Sequence, residues 1–287
     1  MLKSTGMQII NGRQIRDTIL GTLFARVRAL PFAPVFCDIL VGANEMSAQY
    51  VRMKERTAES LGIKVLSAVY PESITTEELI AEIKRIAETP NMSGLIVQLP
   101  LPEHIDTSRV LDAVPSAIDV DAIGSVASAQ FYRNEPTFLF PTAAAVLALL
   151  DSQNLDLSAK KMVIAGRGVL VGRPVEHLLK ARGLDVRSVD SSTPNPEEMF
   201  KSADVVITGT GVGNFIRGSM LKPGVVVIDA GTSEAGDGVT GDVDRASIEP
   251  VAAALSPVPG GVGPVTVAML MQNVVIAAER QAAKNIQ

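Results

Sequence analysis

The sequence predicts an α/β protein of two domains: an N-terminal α/β substrate domain and a Rossmann-type dinucleotide-binding domain, with a cleft between them. Three observations carry that expectation. Short apolar runs alternate with helix-patterned segments along most of the chain, the pattern of a mostly parallel sheet. The run "KMVIAG" passes directly into "GRGVLVGRP", which places Gly166, Gly168 and Gly172 between a strand and a helix. Finally, 287 residues with 47% hydrophobic content can bury two cores.

Taken in order, "NGRQIRDTILGTLFARVRAL" sets Ile15, Ile19, Leu20, Leu23, Phe24 and Val27 at helical spacing and predicts a helix with one buried stripe. "APVFCDILV" reads as a strand and Ser47 to Gly62 as a helix. "KVLSAVY" is a second strand, and Thr75 with Glu78 opens the next helix as a capping box. "GLIVQLPLP" is an apolar strand stopped by prolines. From Pro115 to Pro141 the pattern weakens into turn residues, and "TAAAVLALLDSQ" resumes as a helix, so the domain boundary is placed near Thr142. A second series follows: "KKMVIAG", "LDVRSVD", "ADVVITG" and "GVVVIDAG" as strands, then a long apolar helix from "GPVTVAML".

Composition excludes several function classes. A net charge of -5 gives no basic surface for nucleic acid. One cysteine, Cys37, rules out a disulfide framework or a zinc cluster within the chain, and it sits in an apolar strand as core. His104 and His177 lie in unrelated contexts, against a histidine metal site or a Ser-His-Asp triad, so no metal is expected. No run of about 18 uninterrupted apolar residues occurs and the N-terminus lacks a signal-like core. The expectation is a cytoplasmic protein with no membrane partner.

Several residues could carry chemistry. The glycine turn suits a pyrophosphate, because glycine lets backbone approach it and the helix start adds partial positive charge. Asp190 lies 24 residues after Gly166, near where a ribose-binding acid belongs. A carboxylate there favours NAD and repels a 2'-phosphate, whereas Arg167 inside the turn could pair with that phosphate; the two signals conflict. Tyr50 and Lys54, four apart on a helix, share a face, either as a working pair or as a half-buried tyrosine beside a lysine reaching for solvent. Gln98 ends an apolar strand, where ligands gather in open α/β sheets, and needs partners for its amide or serves only its own loop. Asp119 and Asp121 flank one valine, so in an extended chain only one of them can enter a cleft. "SPVPGGVGPVT" is a rigid loop that suits a flat ligand or a tight interdomain turn.

Together, "YVRMK", "GLIVQLPLP", "DVDA", "GRGVLVG", "KPGVVVIDAG", "GDVD" and "PVPGGVGPVTVAML" resemble the bifunctional methylenetetrahydrofolate dehydrogenase/methenyltetrahydrofolate cyclohydrolase (FolD) family in order and spacing, from about Met7 onward. The resemblance implies a folate-binding catalytic domain over residues 1–142 and a Rossmann-type domain over 143–263, with a helix from about 264 to 287 packing back onto the first. It implies Lys54 as the catalytic lysine, Tyr50 stacking on the folate, Gln98 holding the lysine and Asp121 binding the pterin edge. Val97, Leu99, Pro259, Gly260, Gly261, Val262 and Gly263 would border the same ligand. The cofactor, NADP with NAD possible because of Asp190, would rest on Gly166, Arg167 and Gly168, with Asp190, Ser191 and Thr232 nearby. Substrates would be tetrahydrofolate one-carbon derivatives, and the assembly a homodimer.

There are departures from the family pattern. "FPTA" (Phe140 to Ala143) stands where a Pro-Cys-Thr-Pro turn is usual, Ala122 where glycine is usual, and Gly168 where serine is typical. The altered Phe140 to Ala143 turn motivates one rival reading, a dehydrogenase with little cyclohydrolase activity; a shikimate-type or amino-acid dehydrogenase and a nucleotide-binding regulatory module without turnover are the other readings left open.

Overall fold

A computed structural model describes residues 6–235 and 238–284. The chain runs β1 (Gln8–Ile9), α1 (Gly12–Arg28), β2 (Val35–Val41), α2 (Glu45–Ser60), β3 (Lys64–Tyr70), α3 (Thr76–Ala87) and β4 (Met92–Val97). It continues through α4 (Thr107–Asp112), α5 (Ser125–Tyr132), α6 (Pro141–Asp151), β5 (Met162–Ala165), α7 (Gly172–Ala181), β6 (Val186–Val189) and α8 (Pro196–Ser202). It closes with β7 (Val205–Thr208), β8 (Val226–Asp229), β9 (Ser233–Ala235), β10 (Gly238–Thr240), α9 (Arg245–Ile248), β11 (Ala254–Ser256) and α10 (Val262–Lys284). Two compact units result, one of Thr18–Pro141 with Val267–Gln287, the other of Met1–Asp17 with Thr142–Thr266.

The first unit is built on a parallel three-stranded sheet in the order β3-β2-β4. β2 is central and buried along most of its length, as a parallel strand covered on both faces requires. On α3, Leu79, Ile83 and Ile86 recur at helical spacing and are buried in the core with Cys37, Ile39 and Leu95. The capping box is formed: Thr75 Oγ1 accepts from Glu78 N–H while Glu78 Oε2 accepts from Thr75 N–H. On α1 the stripe is narrower than its spacing predicts, because Leu23 and Val27 are buried but Phe24 is 44% exposed. Phe24 instead lies under the Arg28 guanidinium.

Length and composition would let α10 cross a bilayer, yet 61% of its apolar window is buried inside the protein, as in a core helix. It lies close to β4 because position 94 is glycine: a Cβ there would come within 2.7 Å of Val274. Gln281 Nε2 donates to Met92 O at 2.5 Å, and Arg26 forks onto Glu279 with bonds of 2.9 and 2.8 Å.

The second unit carries a six-stranded sheet in the order β1-β11-β8-β7-β5-β6, parallel throughout. The N-terminal strand belongs here, which differs from placing residues 1–142 in one domain. Gln8 and Ile9 pair with Ala254 and Leu255, and backbone pairing outweighs sequence position. α5 forms within residues 115–141, where the sequence pattern weakens, and α4 lies just before that stretch; both are short, and α5 buries only Ala127 and Phe131.

Candidate active site

Asn44 caps α2 by accepting from Ser47 N–H at 2.8 Å, and this fixes the helix that carries Tyr50 and Lys54. Lys54 is only 3% exposed, so it does not snorkel to solvent. Its Nζ donates to Gln98 Oε1 at 2.8 Å and stands 2.6 Å from Asp38 Oδ2 on β2. The Tyr50 ring centroid is 5.0 Å away, within cation–π range. Gln98 follows β4 directly, its backbone N–H donating to Ile39 O at 2.8 Å. Its side-chain Nε2 donates to Leu99 O at 2.7 Å, which commits the amide oxygen to the lysine. The flanking Val97 is buried at the end of β4.

The segment turns rather than extending, with Ala122 N–H donating to Asp119 O at 3.0 Å, and the two aspartates differ in their partners. Asp119 is buried, its Oδ2 accepts from Gly124 N–H at 2.9 Å, and burial pushes its carboxyl up to about 6. Asp119 therefore builds the loop. Burial also raises the Asp121 carboxyl, and the charge of Lys54 opposes that rise, so Asp121 is the acid that senses the lysine. Ala122 takes φ +59°, the left-handed region that explains why glycine would suit this position. Asn273 on α10 spans the loop, its Nδ2 donating to Val120 O and Leu139 O, both at 2.8 Å. Phe140 is buried edge-on against Phe131, with centroids 4.8 Å apart, and Pro141 opens α6.

In the second unit, Gly166 to Gly172 link β5 to α7 at the carboxyl end of the sheet, where β6 and β7 lie on opposite sides of β5. That is the switch point at which such sheets bind ligands. Gly166 has φ +98°, and a Cβ on Gly172 would fall 2.0 Å from Gly166 O, so the turn requires glycine at both positions. Around Gly168 there is open space. Asp190 follows β6 and Ser191 succeeds it; Thr232 lies beyond β8. Asp190 Oδ1 accepts from Ser192 N–H and from the hydroxyls of Ser192 and Thr193, which hold its carboxyl below the usual range. The structure thus brings Tyr50, Lys54, Gln98 and Asp121 together in one unit, and Gly166 to Gly168, Asp190, Ser191 and Thr232 along one sheet edge of the other. Pro259, Gly260, Gly261, Val262 and Gly263 fall in the second unit, where Gly260 O accepts from Gly12 N–H at 3.0 Å.

Residues 10–121 match the family described as tetrahydrofolate dehydrogenase/cyclohydrolase, catalytic domain, and residues 141–282 match its NAD(P)-binding domain. The chain belongs to the tetrahydrofolate dehydrogenase/cyclohydrolase family. Among curated members, the bifunctional protein FolD of Lacticaseibacillus paracasei is 39% identical over 277 residues, covering 95% of this chain and 98% of that protein. The FolD crystal structure from Campylobacter jejuni superposes with a TM-score of 0.91 at 33% identity, covering 96% and 99% of the two chains. The Trypanosoma brucei enzyme, solved with NADP and an inhibitor, gives 0.91 at 32% identity, covering 96% and 98%.

Within this family member, two features escape a reading of the sequence. Asp38 reads as part of a core strand, although a lone acid inside "PVFCDILV" is itself a signal, since buried carboxylates are rare without a partner. Asp229 and Asp242 lie in quoted motifs, yet only the fold joins them. Asp229 accepts from the N–H groups of Gly231, Asp242 and Val243, and Asp242 Oδ2 accepts from Thr208 Oγ1 and Thr210 N–H. Together they pin the loop around Thr232.

Proposed function

We propose that this chain oxidises 5,10-methylenetetrahydrofolate to 5,10-methenyltetrahydrofolate with NADP or NAD, and hydrolyses the methenyl product to 10-formyltetrahydrofolate. The observation that carries the reading is a buried Lys54 amine held by Gln98 beside the Tyr50 ring, within the region matching the family's catalytic domain.

In this reading, Tyr50 stacks on the folate, with Val97 and Leu99 lining it and Asp121 binding the pterin edge. Burial raises the Tyr50 phenol, so it stays protonated and acts through its ring and hydroxyl. Lys54 takes a proton from the water that attacks the methenyl carbon, then returns one as the ring C–N bond opens. A cationic substrate beside the amine favours its neutral form.

The glycine turn of the second unit fits a dinucleotide, because its backbone leaves no room for side chains at Gly166 and Gly172. Gly166, Arg167 and Gly168 would hold the phosphates, with Asp190 or Arg167 at the ribose and Ser191 and Thr232 alongside. When bound, the nicotinamide supplies a hydride acceptor for the oxidation. We expect a homodimer, as the family resemblance implies, and a monomer in sedimentation velocity would exclude it.

The deciding experiment is Lys54→Met, assayed for methenyl hydrolysis and for cofactor binding. Hydrolysis is expected to fall by about 10²–10⁴-fold, the usual contribution of a general acid–base group, while cofactor still binds. Wild-type hydrolysis in this variant would remove Lys54 from the mechanism.

A further inference from the structure

Asp38 has a side chain with no solvent exposure, and its Oδ2 meets Lys54 Nζ at 2.6 Å. Among the described residues neither Oδ1 nor Oδ2 has a hydrogen-bond partner, so the 2.6 Å approach of Lys54 Nζ is an ion pair rather than an aligned hydrogen bond. Phe36 and Leu40, which share its face of β2, are buried core residues, so an apolar side chain would suit this position. Holding an ionised carboxylate there is costly, and one ammonium only partly offsets the cost. Carboxylates perturbed in this way cluster at functional sites.

The groups facing this pair come from three elements. α2 presents Tyr50 and Glu55 beside Lys54, the residue directly after β4 is Gln98, and the loop before α5 presents Asp121; Cys37, adjacent on β2, points to the opposite face and meets Asp38 only through its charge. Burial pushes the Cys37 thiol up to about 12, so it remains neutral and takes no proton. Gln98 offers only its amide oxygen. Asp38 is therefore the ionisable group in direct contact with the lysine nitrogen.

We propose that Asp38 is the internal proton acceptor of Lys54 during hydrolysis, a positioning and proton-holding residue that never touches the folate. The proposal rests on Lys54 being the acid–base group. When the methenyl cation lies beside the amine, one N–H bond of the ammonium breaks and its proton passes to Asp38 Oδ2. A charged pair becomes a neutral amine and a neutral acid, which costs less in a buried site. Water then attacks: a C–O bond forms at the methenyl carbon, and the proton lost from the water goes to Lys54. Lys54 hands that proton to the departing ring nitrogen as the C–N bond breaks, and takes up the hydroxyl proton as the formyl C=O forms. Asp38 finally releases its proton, matching the single proton that hydrolysis of a cation by water sets free.

Burial, only partly offset by Lys54, pushes the Asp38 carboxyl up to about 6 in the absence of substrate. Below that pH it is already protonated and cannot relieve the lysine. The test is the pH dependence of methenyl hydrolysis in wild type, Asp38→Asn and Asp38→Glu, with Lys54→Met as reference. Wild type is expected to lose rate as pH falls through about 6. Asp38→Asn is expected to be at least about tenfold slower near neutral pH and to rise steadily with pH, because Lys54 must then shed its proton to solvent. Asp38→Glu is expected to restore an acid limb. Should Asp38→Asn fail to fold, the wild-type and Asp38→Glu profiles still decide. A wild-type rate flat from about pH 5 to 8, or an Asn variant with the wild-type rate and profile, would overturn the proposal. An inactive Lys54→Met alongside such a result would leave the lysine's role standing and remove only that of Asp38.

Discussion

Arg167 Nη1 stands 3.8 Å from Asp190 Oδ2, so the cation in the glycine turn and the acid after β6 form an ion pair. At more than half exposure for the arginine the pair contributes little stability. For the proposed cofactor site the pair predicts an effect on selectivity: while Asp190 is present, a 2'-phosphate would have to share Arg167 with a carboxylate. Asp190→Ser is expected to raise the NADP-to-NAD ratio of kcat/KM by about tenfold or more, the effect of removing one repulsive charge and freeing one attractive one. An unchanged ratio in steady-state assays with both cofactors would make Asp190 a bystander.

The glycine turn supports a paired prediction. In Gly172→Ala the new Cβ meets Gly166 O at 2.0 Å, a backbone collision that no rotamer relieves. Unfolding stability should fall by about 1–3 kcal/mol, as for other overpacked sites, and cofactor affinity should fall with it. Gly168→Ser enters open space and restores a hydroxyl near the phosphates. Thermal melting and cofactor titration should show it folded and binding at least as tightly as wild type; equal behaviour of the two variants would discredit this account of the turn.

Asn273 is the link between α10 and the Asp121 loop. Asn273→Leu keeps the branched heavy-atom outline but leaves Val120 O and Leu139 O without their shared donor. Each stranded carbonyl costs about 1–3 kcal/mol, so chemical denaturation should show a loss of at least about 1 kcal/mol, and hydrolysis should slow as Asp121 loosens. Full stability in the variant would mean that the two carbonyls find other donors.

The Asp229 carboxyl is raised by burial from 3.8 to about 7 against the pull of three backbone donors, with the Asp242 charge adding to the rise. Its folded pKa exceeds its unfolded value, so between those two pH values the folded state binds more protons. This contribution therefore weakens as pH rises from about 4 to about 7, by at most about 4 kcal/mol, and is constant outside that window. Melting midpoints across this range should fall more steeply for wild type than for Asp229→Asn; coincident slopes would show that Asp229 ionises as easily in the fold as in the unfolded chain.

Much of this architecture is legible along the chain. The helix at residue 76 announces itself through Thr75 and Glu78 three residues apart, and the nucleotide turn through a strand that runs into Gly166, Gly168 and Gly172. Tyr50 and Lys54 can be paired because four residues make about one helical turn. Phe24 shows the limit: its spacing matches the buried Leu23 and Val27, but which face of a helix is covered depends on what packs there, and the ring stays largely exposed. α4 and α5 were invisible for a related reason, since helices of six and eight residues are too short to display a period.

By itself the sequence determined the alternation of strands and helices, the turn chemistry and the residue types at the candidate site, because propensity, capping and side-chain periodicity act over a few residues. Tertiary structure alone decided that Gln8 and Ile9 join the second sheet beside Ala254 and Leu255, that Asn273 reaches Val120, and that Asp38 faces Lys54. These contacts join chain segments that no local pattern relates. Only packing brings them together, and only burial turns an acid in an apolar strand into a group whose proton matters.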